Sequence, residues 1–505
     1  MNKTDLFPQQ SINKIFKVDS LKQWLPISLI LCVAAILFFY QLGQESLWLD
    51  ELYSVHDAKK IPASFSRVRP IYFIFLRLWM LFGDSDAWLR SLSVLFGLGS
   101  VWLIYELGRR VADQKTGLIT AIALTLSPLF INHTQEVRMY ALGTCLAILG
   151  SLLVVHILEK PTNPLIFAWL GSRLMMAMTA PINTVLILPD LVLIGLKFRK
   201  QRGLWLRFGK WFLIIGILAI PSAIVISSIA FPVFSRWLSN PQYMSPVELI
   251  LKVKRYSTFP FPSTSMMMSV FFQIYTVMLL GLLGAALILK QKGFKSYLIL
   301  AWTFIPTTVL YLISKKLLFD RYSLFLMPYL LILLAIGFVK VWHRWRIAAM
   351  IIAIVYLIAV SNGLVRYYTV QDRQDWRGVM SMISASEKTG DMIVIDHSAA
   401  SPKAPPALQH YYDGSATIHR YEQFCSNPQT LDRQAVEEKL NSLPPIQSQV
   451  WFVCDRDFDE KAFAEFFGNK FKLESYQKFA NWNFYRQNDY MYVFQTSPRS
   501  QATQN

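Results

Sequence analysis

Apolar runs of membrane-crossing length recur along most of the chain, separated by short polar connections, and after about residue 366 they give way to a mainly polar segment. The first run spans about 24–42. Ten more fall at about 88–108, 117–133, 139–158, 164–180, 182–197, 208–231, 267–289, 296–314, 322–340 and 346–364. A helix needs about 20 apolar residues to cross the hydrocarbon core. The pattern therefore predicts a polytopic α-helical membrane protein of about eleven spans. The stretch 71–82 is short for a crossing and suits a helix lying on the membrane surface. The first run lacks a small-x-small cleavage signal and is followed by many more spans, so it reads as an uncleaved anchor.

The polar segment follows a different pattern. Asp391–Asp396, Val450–Cys454 and Tyr490–Phe494 read as strands, and helical spacing fits about 374–387, 431–441 and 458–467. The expected organisation is a cytoplasmic N-terminal segment over 1–23, a transmembrane part over 24–365 with long outer loops at about 43–87 and 232–266, and a C-terminal extracytoplasmic α/β domain over 366–505.

Composition supports a membrane protein. Of the 505 residues, 54% are hydrophobic and only 16% charged, where a soluble domain carries about 25% charge. Mean hydropathy is +0.35. The net charge of +18 would suggest nucleic acid in a soluble protein. Here much of the excess sits in short loops, such as Lys197, Arg199, Lys200, Arg202, Arg207 and Lys210, which marks a cytoplasmic side rather than a nucleic-acid partner. With the N-terminus inside, an odd number of spans places the tail outside. Cys425 and Cys454 share that tail and could pair there; the sequence does not decide it.

Several charged residues fall on the predicted outer side despite the charge rule. Among them are Arg69, Arg138, Lys315, Lys316 and Arg321, which together suggest an anionic ligand such as a phosphate-linked lipid. The first outer loop opens Ser46-Leu-Trp-Leu-Asp50-Glu51-Leu-Tyr53-Ser54. Helix capping at the membrane border would account for its acids. Alternatively, Asp50 acts as a base tuned by low-dielectric surroundings, with Glu51 on another helix face. The second short outer segment reads Asn132-His133-Thr-Gln135-Glu136-Val-Arg138-Met-Tyr140. In a loop, Glu136 could position a hydroxyl or hold a cation, and Arg138 could hold a phosphate. No His/Cys metal framework, serine-nucleophile signature or Gly-rich nucleotide loop is seen.

These segments resemble the polytopic GT-C glycosyltransferase superfamily, and within it the group of bacterial protein O-mannosyltransferases and aminoarabinose lipid A transferases. The resemblance is carried by the Ser46–Ser54 phrase, by Ser127-Pro128 through Tyr140, by Asp320-Arg321-Tyr322-Ser323 ahead of Pro328, and by Asp375-Trp376-Arg377-Gly378. It implies a polyprenyl-phosphate sugar donor used on the outer face of a bacterial plasma membrane. The acceptor would be a hydroxyl-bearing protein, lipid or glycan. Asp50 would be catalytic, with Glu136. Arg138 and Arg321 would contact donor phosphate, helped on charge placement by Lys315 and Lys316. Glu51, Tyr53, Arg69, Tyr140 and Tyr322 would line the substrates. A divalent cation such as Mg2+ stays optional. One departure is Arg67-Val-Arg69-Pro70 where relatives often show a His-Pro-Pro-like phrase. A transporter or a nonenzymatic lipid-binding or envelope-assembly protein are the alternatives. A transporter would show paired broken helices around midplane polar sites.

Overall fold

The computed structural model describes residues 18–61, 70–217, 266–288, 294–318, 320–370, 373–396, 408–421, 431–446, 448–454, 458–481 and 489–499, with isolated positions between them. Most of the outer loop expected at 232–266 lies outside these residues, as does Arg69.

Among the described residues the first nine α-helices are α1 (Val18–Phe39), α2 (Leu49–Lys59), α3 (Pro70–Trp79), α4 (Asp86–Val111), α5 (Gln114–Thr125), α6 (Pro128–Thr134), α7 (Tyr140–Glu159), α8 (Asn163–Thr179) and α9 (Ile187–Phe198). Further long helices cover Met266–Ile288, Lys295–Ile313, Met327–Arg344 and Arg346–Thr369. Among the described residues, six helical stretches are long and apolar enough to cross a membrane, or seven if the bent pair α5–α6 is one span. That is fewer than the eleven expected. Several expected runs form helices outside that set: the side chains of α1 and of the helix Lys295–Ile313 are described only over Trp24–Phe39 and Tyr297–Ile313, and α8 carries Arg173 among its 17 residues. The 208–231 run is described only to 217, apart from position 220.

Close packing between helices rests on small residues, as expected where lipid supplies little drive for apolar association. A methyl group on Gly337 would lie 2.0 Å from the Leu282 carbonyl oxygen, so helices Met266–Ile288 and Met327–Arg344 touch backbone to side at that point. Gly337→Ala must push them apart. We expect a loss of about 1–3 kcal/mol, read as a lower melting temperature of the detergent-purified protein.

Arg173 is buried within the helical body and has a complete set of partners. Its Nε donates to Asp190 Oδ2 at 2.8 Å, Nη1 to the Ala147 carbonyl at 3.0 Å and Nη2 to Ser151 Oγ at 3.0 Å. The indoles of Trp169 and Trp302 donate to the same carboxylate at 2.8 and 2.7 Å. A charge in a membrane segment is tolerated when paired in this way. This ion pair ties α7, α8, α9 and the helix Lys295–Ile313 together.

The tail forms a five-stranded sheet of order β2-β1-β3-β5-β4, with β1 Met392–Asp396, β2 Thr417–Tyr421, β3 Val450–Cys454, β4 Phe471–Asn481 and β5 Asp489–Pro498. β1 runs parallel to β2 and β3, while β5 pairs antiparallel with β3 and β4. Parallel strands need cover on both faces, and the period-2 alternation provides it. Ile393, Ile395, Trp451 and Val453 join a core with Trp376, Val379 and Ile383 of the helix Trp376–Ser386, and that core continues into the helical body. Met392, Val394, Val450 and Phe452 face the helices Arg433–Asn441 and Glu460–Phe466 through Val436, Leu440 and Phe463. Cys425 and Cys454 form a disulfide on that second face.

The sheet layer is fastened to the first outer loop by polar contacts. Ser46 Oγ donates to the Gln374 carbonyl at 2.8 Å. The Leu47 amide donates to Tyr411 Oη at 2.6 Å, and that hydroxyl donates to Asp86 Oδ2 at 2.6 Å. Arg377 pairs with the same Asp86 carboxylate at 3.4 Å.

Candidate active site

The site is assembled from three chain breaks. The first is the turn from α1 into α2, which carries Asp50 and Glu51 in the first helical turn, where acids complement the helix dipole. The second is the 65° bend between α5 and α6. Ser127 Oγ caps α6 by accepting from the Phe130 amide at 3.2 Å, and Pro128 stands at its start. The helix stops at Thr134, so residues 135–139 are irregular and Glu136 and Arg138 escape the constraint of a regular helix. The third is the short helix Asp320–Ser323 that opens the apolar run ending at Arg344.

Asp50 sits between two arginines. Arg321 Nη1 approaches Asp50 Oδ2 at 3.4 Å, and Arg138 Nη2 approaches the same oxygen at 3.7 Å. Arg138 is also anchored to α2, donating through Nη1 to the Asp50 carbonyl at 3.0 Å and to Ser54 Oγ at 3.1 Å. Its guanidinium lies 5.8 Å from the Tyr140 ring centroid, and that of Arg321 lies 5.0 Å from the Tyr322 ring. Burial works against the charge of Arg138, but Tyr140, Asp50 and Glu136 outweigh it and hold its pKa above the ordinary value. Arg138 Nε is buried with no hydrogen-bond acceptor among the described residues. Two guanidiniums thus converge on one partly exposed carboxylate.

Glu51 has a different position from the one expected of a lining residue. It is fully buried and holds Arg90 by a bidentate pair, Nε to Oε1 at 3.0 Å and Nη2 to Oε2 at 2.8 Å. The amides of Trp48 and Val137 donate to it at 3.1 and 2.7 Å. Arg90 in turn donates to the carbonyls of Leu42, Glu45 and Ser46. This pair fixes the loop that presents Asp50, and it leaves Glu51 no face for a substrate.

Glu136 is likewise buried. It accepts from Asn132 Nδ2 at 3.3 Å and contacts His133 Nδ1 at 3.2 Å. Burial pushes its carboxyl up, but His133, Arg373 and Arg138 outweigh that and hold it below the usual range. It supports the Arg138 turn and does not join Asp50 in a direct pair. Tyr53 packs against Leu49. Lys315 and Lys316 fall in the 3-10 turn Lys315–Leu318, but their side chains lie outside the described ones, so neither they nor Arg69 can be assigned a contact. Among the described residues no three His, Cys, Asp or Glu side chains gather as metal ligands.

Sequence reasoning missed Arg90, Asp86 and Tyr411. The one available signal was an arginine in the first turn of an apolar span, which demands a partner.

The fold is similar to that of solved ArnT and archaeal oligosaccharyltransferase structures. Residues 69–226 match the family model of dolichyl-phosphate-mannose-protein mannosyltransferase. The chain is similar in structure to ArnT from Cupriavidus metallidurans bound to undecaprenyl phosphate, with a TM-score of 0.60 and 12% identity over 92% of this chain and 97% of that one. It is also similar to the archaeal oligosaccharyltransferase AglB from Archaeoglobus fulgidus in complex with an inhibitory peptide and a dolichol-phosphate, with a TM-score of 0.52 and 10% identity over 86% of this chain and 70% of that one. A curated relative, an uncharacterized protein of Aquifex aeolicus (strain VF5), is 31% identical over 122 residues. That match covers 21% of this chain and about a quarter (24%) of the relative.

Proposed function

We propose that this protein transfers a sugar from a polyprenyl-phosphate donor to a hydroxyl on a protein, lipid or glycan acceptor at the extracytoplasmic face of the membrane. The observation that carries this reading is Asp50 bracketed by Arg138 and Arg321. The acceptor oxygen attacks the anomeric carbon as Asp50 takes its proton. The bond from that carbon to the phosphate oxygen breaks, and its electron pair leaves with the phosphate. The two guanidiniums stabilise the charge gained there. Direct displacement inverts the anomeric centre. The lipid phosphate also neutralises the arginines on binding, which frees Asp50 to act as a base once the donor is in place. The undecaprenyl and dolichol phosphates of the ArnT and AglB complexes support this donor class.

Arg321→Ala is expected to weaken donor binding about 10–100-fold, the worth of one charged hydrogen bond. Titration with labelled polyprenyl-phosphate sugar measures it, and unchanged affinity would remove the phosphate role. The outer-face assignment is supported by the Cys425–Cys454 disulfide, since such bonds persist in oxidising compartments. The tail touches the Ser46–Leu47 segment, so the two share one side of the membrane. An impermeant maleimide on intact cells is expected to label the exposed position in Ser442→Cys. Labelling only after lysis would place Asp50 on the cytoplasmic side and end the outer-face reading.

A further inference from the structure

A polar cavity of about 530 Å³ lies beside the segment that leads from α1 to Asp50. Gln41, Gln44 and Glu45 form one wall, Asn132 and Gln135 another, and Tyr367, Tyr368, Arg373 and Asp375 close it. It sits where α1 and the helix Arg346–Thr369 both end. Asn132 links it to the site through its hydrogen bond to Glu136, two residues before Arg138.

The character of its ligand follows from charge and valence. The cationic side chains on its wall are already matched. Arg90 is held by Glu51 and Arg377 by Asp86, and Arg373 has Glu45 at 3.8 Å with Glu51 and Glu136 also acting on it. Asp375 adds a carboxylate to the wall. It caps the helix Trp376–Ser386 by accepting from the Gly378 amide through Oδ1. An anion would meet no surplus of positive charge here. Yet Arg373 is more than nine-tenths buried, and its Nη2 has no hydrogen-bond partner among the described residues. A buried donor in that state is costly unless a ligand or water completes it. Planar amides and carboxylates beside an unfilled guanidinium donor offer both acceptors and donors to neighbouring hydroxyls. The rings of Tyr367 and Tyr368 also line it, with their hydroxyls committed to Gln135 Oε1 and the Leu37 carbonyl.

We infer that this cavity is a subsite for a neutral sugar ring. On the transfer reading above, on which this last step rests, the ring belongs to the acceptor, because the phosphate of the donor is served by Arg138 and Arg321. Acceptors carrying a glycan would then be preferred to bare peptides.

The test is saturation-transfer NMR on the full-length protein in detergent. The probes are methyl glycosides of glucose, mannose and galactose, with inorganic phosphate as competitor. At least one glycoside is expected to receive saturation. Gln44→Trp, an exposed rim position, should reduce that signal at least fivefold, as should Glu45→Gln, with melting temperature monitored for both. Asp50→Asn should keep it, and phosphate should not compete. No signal with any glycoside, a signal unchanged in both rim variants, loss in Asp50→Asn alone, or displacement by phosphate would each overturn the inference. Binding that is lost in Gln44→Trp in a protein without transferase activity would sustain the subsite while removing the transfer reading.

Discussion

Asp50→Asn is expected to lower sugar transfer by roughly 10²–10⁴-fold, the usual worth of a positioned general base, while leaving the protein folded and donor binding intact. The substitution keeps the shape of the side chain and removes its charge. Asp50 is partly exposed and its arginine contacts are long, at 3.4 and 3.7 Å. Arg138 retains its hydrogen bonds to the Asp50 carbonyl and to Ser54. Loss of the carboxylate therefore costs little structure, and the two guanidiniums become more available to phosphate. Turnover should collapse while donor affinity holds or rises. Membranes supplied with labelled polyprenyl-phosphate sugar, with products identified by mass spectrometry, measure both. Full turnover in Asp50→Asn would dispose of the base role.

The neighbouring acid should behave in the opposite way. Glu51→Ala is expected to destabilise the protein by about 3–5 kcal/mol, the cost of removing one member of a buried pair. It strands the Arg90 guanidinium, which is buried, and deprives the Trp48 and Val137 amides of their acceptor. Little folded protein should accumulate, and what does should melt at a much lower temperature in detergent. Glu51→Ala combined with Arg90→Leu should recover part of the loss, because no unpaired charge then remains. If Glu51→Ala instead melted like the parent and lost only turnover, Glu51 would be a site residue after all. Asp50 and Glu51 are adjacent in the chain, so this pair of experiments separates the chemistry of the loop from its scaffold.

The pattern of apolar runs was enough to read a polytopic helical protein and the approximate positions of its helices, because each run must bury or expose its own length. The tail strands at β1, β3 and β5 were legible for the same reason: they are apolar and central. β2, with the sequence Thr-Ile-His-Arg-Tyr, and β4 were not. They lie at the sheet edges, where among the described residues one flank has no neighbouring strand and polar side chains are tolerated. The span count was less secure, since a helix such as α8 can carry a buried arginine when a distant Asp190 meets it.

The residue types around Asp50 could be read from three separate phrases of the chain. Their roles could not. Two adjacent acids look alike in sequence, and only tertiary packing set Glu51 against Arg90 and left Asp50 to Arg138 and Arg321. The same holds for Arg173 with Asp190, and for the Tyr411 hydroxyl that joins Leu47 to Asp86 across more than 300 residues. Local sequence determines which segments are apolar and where a helix can start or bend. Which charge meets which depends on long-range approach, and the cost of burying an unpaired charge makes that choice decisive.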